Sequence, residues 1–170
     1  MLTSVMHVDT HILSLIRKYV GKSKFLDKLA SWCAEYSGYL ILLLVGFQAL
    51  YAWHWQLFFV PVLAGLVTRF GINETIYAFY QRKRPSEILE FNPLIKKPRH
   101  PAFPSGHAAF FFGFVFAVFA YSVPLAAVCL VLAVLMGLAR VFCSVHWPSD
   151  ILAGGAAAGL VSMIFWYLLL

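Results

Sequence analysis

Arg140-Val141-Phe142-Cys143-Ser144-Val145-His146-Trp147-Pro148-Ser149-Asp150 lies between two long apolar runs, and its reading decides the fold. It sets an arginine, a histidine and a carboxylate at the adjoining ends of two segments that are otherwise almost wholly apolar. Ionisable groups at membrane depth are costly unless they are paired or face a polar cavity. Such a stretch points to binding or chemistry more than to packing.

The surrounding chain is a membrane protein by composition. Of its 170 residues 62% are hydrophobic and 12% charged, against roughly half and a quarter in a soluble domain. Upstream of Arg140 a spanning helix is expected to end near Phe142, entered by a tight turn at Ser122-Val123-Pro124, with a helix from Pro104 to about Tyr121 before it. Downstream another runs from about Ser149 to the C-terminus. Earlier still, Tyr36 to Trp53 and Leu57 to Tyr80 flank the short His54-Trp55-Gln56 turn, each near the ~20 residues that cross a bilayer core. Trp53 and Trp55 mark an interface. The fold expected is all-α, a multi-pass transmembrane helical bundle of about five spanning helices.

Residues 1–34 read differently. Ile12, Leu13, Ile16, Val20, Phe25, Leu26, Leu29 and Trp32 recur at helical spacing opposite Arg17, Lys18, Lys22, Lys24 and Lys28. This is the pattern of an amphipathic interfacial helix. Asp9 or Thr10 is expected to cap its start and Gly21 to break it. The division is therefore an interfacial segment, 1–34, and a transmembrane domain, 35–170. No early basic run precedes a short apolar core, so no cleaved secretory signal is expected.

The 13 Lys and Arg exceed the 7 Asp and Glu, for a net charge of +6. In so apolar a chain this suits a bilayer surface and an anionic substrate, and no nucleic-acid partner is expected. Cys33, Cys129 and Cys143 are odd in number and set in apolar sequence, so they read as small apolar fillers. The Gly155-to-Gly159 run of small residues lets a neighbouring helix approach closely, within the bundle or in a homodimer. The oligomeric state stays open.

Five spans put three polar clusters on one side. The Gln81-to-Pro101 loop carries Arg84, followed by Pro85. Pro104-Ser105-Gly106-His107 opens a helix whose first N–H groups lack intrahelical partners and favour an anion. Arg140 offers a bidentate fork for phosphate oxygens. His146 and Asp150, four apart, can form a hydrogen bond that fixes the ring tautomer and leaves the other nitrogen as a nucleophile. Together these residues suit metal-free phosphoryl transfer, in which one histidine attacks phosphorus and the other protonates the leaving oxygen. No cofactor or metal is expected. Upstream, Arg69 and Asn73, four apart and so on one helix face, read with Glu74 as a structural bond network or as support for this site.

At these residues the sequence resembles the type 2 phosphatidic acid phosphatase (PAP2) superfamily, in particular bacterial undecaprenyl-diphosphate phosphatases. Pro104 to His107 matches one family signature in full. Arg140, His146 and Asp150 match another at its spacing, with Ala139 where the family has serine. Arg84-Pro85 matches a third, with Tyr77 in place of its lysine. The resemblance implies His146 as the phosphohistidine nucleophile, Asp150 as its orienter and His107 as the general acid. It implies Arg84, Ser105, Gly106 and Arg140 as phosphate ligands, with Lys83, Arg82 or Arg99 to supply the missing charge. It implies a lipid phosphatase of the bacterial inner membrane, its site on the outer, periplasmic side. The substrate expected is a lipid phosphate, best undecaprenyl diphosphate; phosphatidylglycerophosphate or phosphatidic acid is the alternative. A vanadium haloperoxidase, or a non-enzymatic binding or transport protein, are the competing classes.

Overall fold

The computed structural model describes residues 2–169. Helix α1, Leu2–Arg17, leads into a turn in which Gly21 takes φ +80°, a left-handed conformation that glycine adopts without steric cost. Helix α2 then runs Lys24–Tyr51, capped by the Ser23 hydroxyl, which accepts from the Leu26 N–H. The first spanning helix thus begins at Lys24 instead of Tyr36, and it passes without a break through the 34/35 boundary expected from sequence. A serine cap upstream outweighs the change in polarity, because lysine stems in the first turns can reach out to the surface.

After a short turn, one continuous helical stretch covers Gln56–Phe79. It comprises α3 (Gln56–Leu66), a π-helical turn (Val67–Ile72) and α4 (Asn73–Phe79). A π turn rotates the helix beyond it, and such turns are frequent at functional sites. Arg69 and Asn73 therefore part company: Arg69 pairs with Glu74 at 2.5 Å, while Asn73 is fully buried against Pro104. The polar loop holds one short helix, α5 (Pro85–Ile88).

Helix α6 (Gly106–Val118) is short, its 13 residues amounting to about 20 Å. It need not span on its own, because it is the central helix: Ala108, Phe114, Val115 and Val118 are fully buried. It packs against α3, against α7 (Val123–Phe142) and most extensively against α8 (Pro148–Leu169), while α2 pairs with α7. Leu43, Phe47 and Leu152 are each about 70% exposed, an apolar outer surface that only a bilayer would solvate. Four helices are long and apolar enough to cross a membrane, and α6 completes the bundle.

Helix α1 lies against α7 and α8. Leu13 is fully buried in a cluster with Ala102, Val141 and Trp147, and Asp9 is buried within the helix instead of capping its start. The Gly155-to-Gly159 run meets Phe112 and Phe116 inside the bundle.

Candidate active site

Three segments distant in sequence converge at the start of α6 and α8. Arg84 is 1% exposed and fixed by carbonyls: Nη1 donates to Val145 O at 2.5 Å, and Nη2 donates to His100 O at 3.0 Å and Pro101 O at 3.2 Å. Nη1 also lies 3.2 Å from Nε2 of His146. Burial lowers the pKa of Arg84 from its ordinary value, and the Asp150 carboxylate opposes that shift.

His146 is completely buried. Its Nδ1 is 3.0 Å from the Ala102 carbonyl, which can only accept, and its Nε2 faces a guanidinium, which can only donate. The ring is therefore neutral, with the proton on Nδ1 and a lone pair on Nε2. Burial, then the charges of Arg84 and Arg140, hold its pKa well below the usual histidine value.

The His146–Asp150 relationship corrects the sequence expectation. Asp150 Oδ2 stands 3.4 Å from His146 Nδ1, and the hydrogen bond that fixes the tautomer goes to the Ala102 carbonyl. Asp150 is occupied elsewhere: Oδ2 accepts from the Trp147 N–H at 2.8 Å and Oδ1 from Arg82 at 2.7 Å. It stays close enough for its charge to act on the ring.

Ser105 caps α6, its hydroxyl accepting from Ala108 N–H, while its own N–H donates to the Asp150 carbonyl at 3.0 Å. A Cβ on Gly106 would lie 2.5 Å from Nε of Arg69, so glycine leaves room there for that cation to pack on the helix start. Arg140 is 3% exposed; Nη1 donates to Ala34 O at 2.9 Å, and its buried Nε has no hydrogen-bond partner among the described residues. Arg140 and His107 line a polar cavity of about 340 Å³ bounded also by Glu35, Tyr36, Tyr39 and Lys96.

Lys83 is exposed, and the bond it provides comes from its carbonyl, which accepts from the Trp147 indole at 3.0 Å. Arg82 is tied to Asp9 and Asp150, and Arg99 is exposed. Tyr77 is buried and its hydroxyl donates to Pro104 O at 2.7 Å, with Asn73 on the same carbonyl at 3.3 Å. Sequence reasoning misses Asp9, Ala102 and His100. Asp9 carries a usable signal, since it is one of only 7 acids.

A helical membrane bundle that buries a neutral histidine under an arginine, with a second arginine and a second histidine lining a polar cavity, has the makeup of a membrane protein that receives an anion. Known proteins agree. The sequence model of the PAP2 superfamily matches residues 53–170. The bacitracin transport permease protein BcrC of Bacillus licheniformis is 28% identical over 149 residues, covering 86% of this chain and 73% of that one. The transmembrane PAP2-type phosphatidylglycerolphosphate phosphatase of Bacillus subtilis superposes with TM-score 0.70 at 19% identity, over 97% of this chain and 86% of that one. LpxE of Aquifex aeolicus gives 0.71 at 22%, over 93% and 94%; at these identities both structures speak for the fold. The chain belongs to the PAP2 superfamily and is an integral membrane lipid phosphatase.

Proposed function

We propose that the chain removes the terminal phosphate of a lipid-linked diphosphate, undecaprenyl diphosphate first among them, through a phosphohistidine on His146. The observation that carries this reading is the neutral ring of His146, protonated at Nδ1 and with its Nε2 lone pair under Arg84. A phosphate entering here replaces that lone pair as the acceptor of the Arg84 N–H bonds, which frees Nε2 to attack. The N–P bond forms as the bond from the terminal phosphorus to the bridging oxygen breaks, and His107, protonated when the anionic substrate enters beside it, passes its proton to that oxygen. Water then cleaves the phosphohistidine and releases inorganic phosphate. The imidazolium character that develops on the ring is stabilised by Asp150 at 3.4 Å.

Arg84, the unpartnered Nε of Arg140 and the backbone N–H of Gly106 would bind the equatorial oxygens, with Ser105, whose own N–H is taken by the Asp150 carbonyl, holding the helix start in place. Lys96 stands at the same cavity as Arg140, so cations at two positions suit a diphosphate. Lys83 would contribute at most a peripheral charge, given its exposure. We further propose that α1 rests in the interface and that the site faces the outer side of a bacterial inner membrane. Labelling a single cysteine placed in the 81–101 loop with an impermeant reagent on intact cells tests that side.

Purified protein in detergent, offered undecaprenyl diphosphate, phosphatidylglycerophosphate and phosphatidic acid, tests the substrate. Phosphate release is expected from the diphosphate foremost; release from phosphatidylglycerophosphate alone would overturn the assignment. His146→Ala is expected to abolish release with the fold intact.

A further inference from the structure

We infer that Asp9, on the N-terminal helix and outside the residues matched by the family, is a positioning residue of the active site. The inference rests on the reading of His146 as nucleophile. Asp9 is 2% exposed, and its carboxylate is bonded to the segment that carries that histidine. Its Oδ1 accepts the Ser149 N–H at 3.0 Å, a donor in the first turn of α8 that has no intrahelical acceptor. Its Oδ2 accepts from the Ser149 hydroxyl at 2.5 Å and from Arg82 Nη2 at 2.6 Å. Arg82 Nη1 in turn donates to the Ser149 hydroxyl and to Asp150 Oδ1, both at 2.7 Å.

The guanidinium of Arg82 is thus held between two buried carboxylates, one on α1 and one on α8. Fixing Arg82 fixes Asp150, whose other oxygen binds the Trp147 N–H next to His146. The same helix closes the apolar side of the turn. Leu13, one turn beyond Asp9, packs with Trp147 and with Ala102, the residue whose carbonyl sets the ring tautomer. The backbone N–H of Ala102 donates to Arg82 O at 3.0 Å, which returns the network to its start. Helix α1 therefore sets the position of both groups that act on Nδ1 of His146. Asp9 reaches the chemistry only through Arg82, Ser149 and Asp150.

The test uses the full-length protein in detergent micelles. Asp9→Asn keeps the shape and removes the charge on which Arg82 depends. Misplacing a reacting group by about 1 Å can cost about 10²-fold in rate, so kcat is expected to fall by that order with KM within about twofold. The His146 ring ¹⁵N resonances should shift. In a double-mutant cycle, Asp9→Asn should add little to the loss caused by Arg82→Gln, because both act through one chain of contacts. Wild-type turnover in the Asp9→Asn protein overturns the inference. So does a loss that adds in full to that of Arg82→Gln and leaves the ring resonances in place. Failure of the wild type to release phosphate from any lipid phosphate would sink the functional reading instead; the ring resonances then decide on Asp9 alone, a shift supporting its positioning role and no shift overturning it.

Discussion

Nη1 of Arg84 stands 3.2 Å from Nε2 of His146 and bonds the Val145 carbonyl at 2.5 Å, so the cation proposed to bind phosphate also covers the proposed nucleophile. Its second nitrogen is held by the carbonyls of His100 and Pro101. A lysine ammonium at this position cannot bond all three carbonyls and face the ring at once. Arg84→Lys is therefore expected to lower kcat/KM by about 10²–10³-fold, the range for losing one preorganised donor at a transition state. The measurement is phosphate release from the lipid on which the wild type is most active. Retention of activity within about tenfold would mean that charge alone suffices at this site.

The lowered pKa of His146 couples stability to pH. Its folded value lies well below 6.5, through burial and then the neighbouring charges of Arg84 and Arg140, with His107 adding to them and the Ala102 carbonyl opposing. Below pH 6.5 the unfolded chain takes up a proton that the folded ring resists, so the unfolded state binds more protons and stability falls as pH falls. The contribution is fully present above the unfolded value and is lost on acidification. Melting of the detergent-solubilised wild type and of His146→Asn, compared between pH 7.5 and pH 5, isolates this contribution: the wild type should lose more stability on acidification than the variant does. Equal losses in the two would show that the native ring protonates as readily as the unfolded one.

Tyr77 occupies the position at which the family resemblance leads one to expect a lysine. Its hydroxyl serves the backbone, donating to Pro104 O at 2.7 Å, and its ring stacks on His100 with centroids 5.3 Å apart. Tyr77→Phe should therefore cost about 1 kcal/mol of stability, the net worth of one such bond, with Asn73 still on that carbonyl. Turnover should fall only modestly. Abolished phosphate release at an unchanged melting temperature would instead assign the hydroxyl to the chemistry.

Much of this arrangement is legible in the sequence. Apolar runs of near-bilayer length give the bundle, and the count of spans puts Arg84, His107 and His146 on one side, because alternating direction leaves no other arrangement. The partners of His146 are not legible. Spacing suggests Asp150, four residues on, but the acceptor nearest Nδ1 is the carbonyl of Ala102, far away in sequence, and no side-chain pattern marks a carbonyl. Asp9 reads as a helix cap because aspartate near a helix start usually is one; only the docking of α1 on α8 gives it Arg82 and Ser149 as partners. The π turn at Val67–Ile72 likewise leaves no period in the sequence, yet beyond it Asn73 and Tyr77 both meet Pro104.

Gly154 offers the sharpest test of how the helices hold the site. A Cβ there would lie 2.9 Å from both the Ala108 Cβ and the Ser105 carbonyl, and 3.0 Å from the Ala109 nitrogen. Two of these are backbone atoms, one in the cap and one in the first turn of α6, that cannot rotate away, so α8 must shift. The shift falls beside the bond from Ser105 N–H to the Asp150 carbonyl, and it would separate the start of α6 from the turn carrying His146. Gly155 and Gly159 differ, since a Cβ at either meets only the rings of Phe112 and Phe116 at 3.7 and 3.9 Å, ordinary contact distances. Gly154→Ala should thus destabilise by about 1–3 kcal/mol, the usual range for overpacking, and lower phosphate release, while Gly155→Ala and Gly159→Ala behave like the wild type. Thermal melting and turnover of the three variants in one detergent check this. A Gly159→Ala protein that changes oligomeric state while Gly154→Ala melts normally would move the role of these small residues from packing within the bundle to contact between copies.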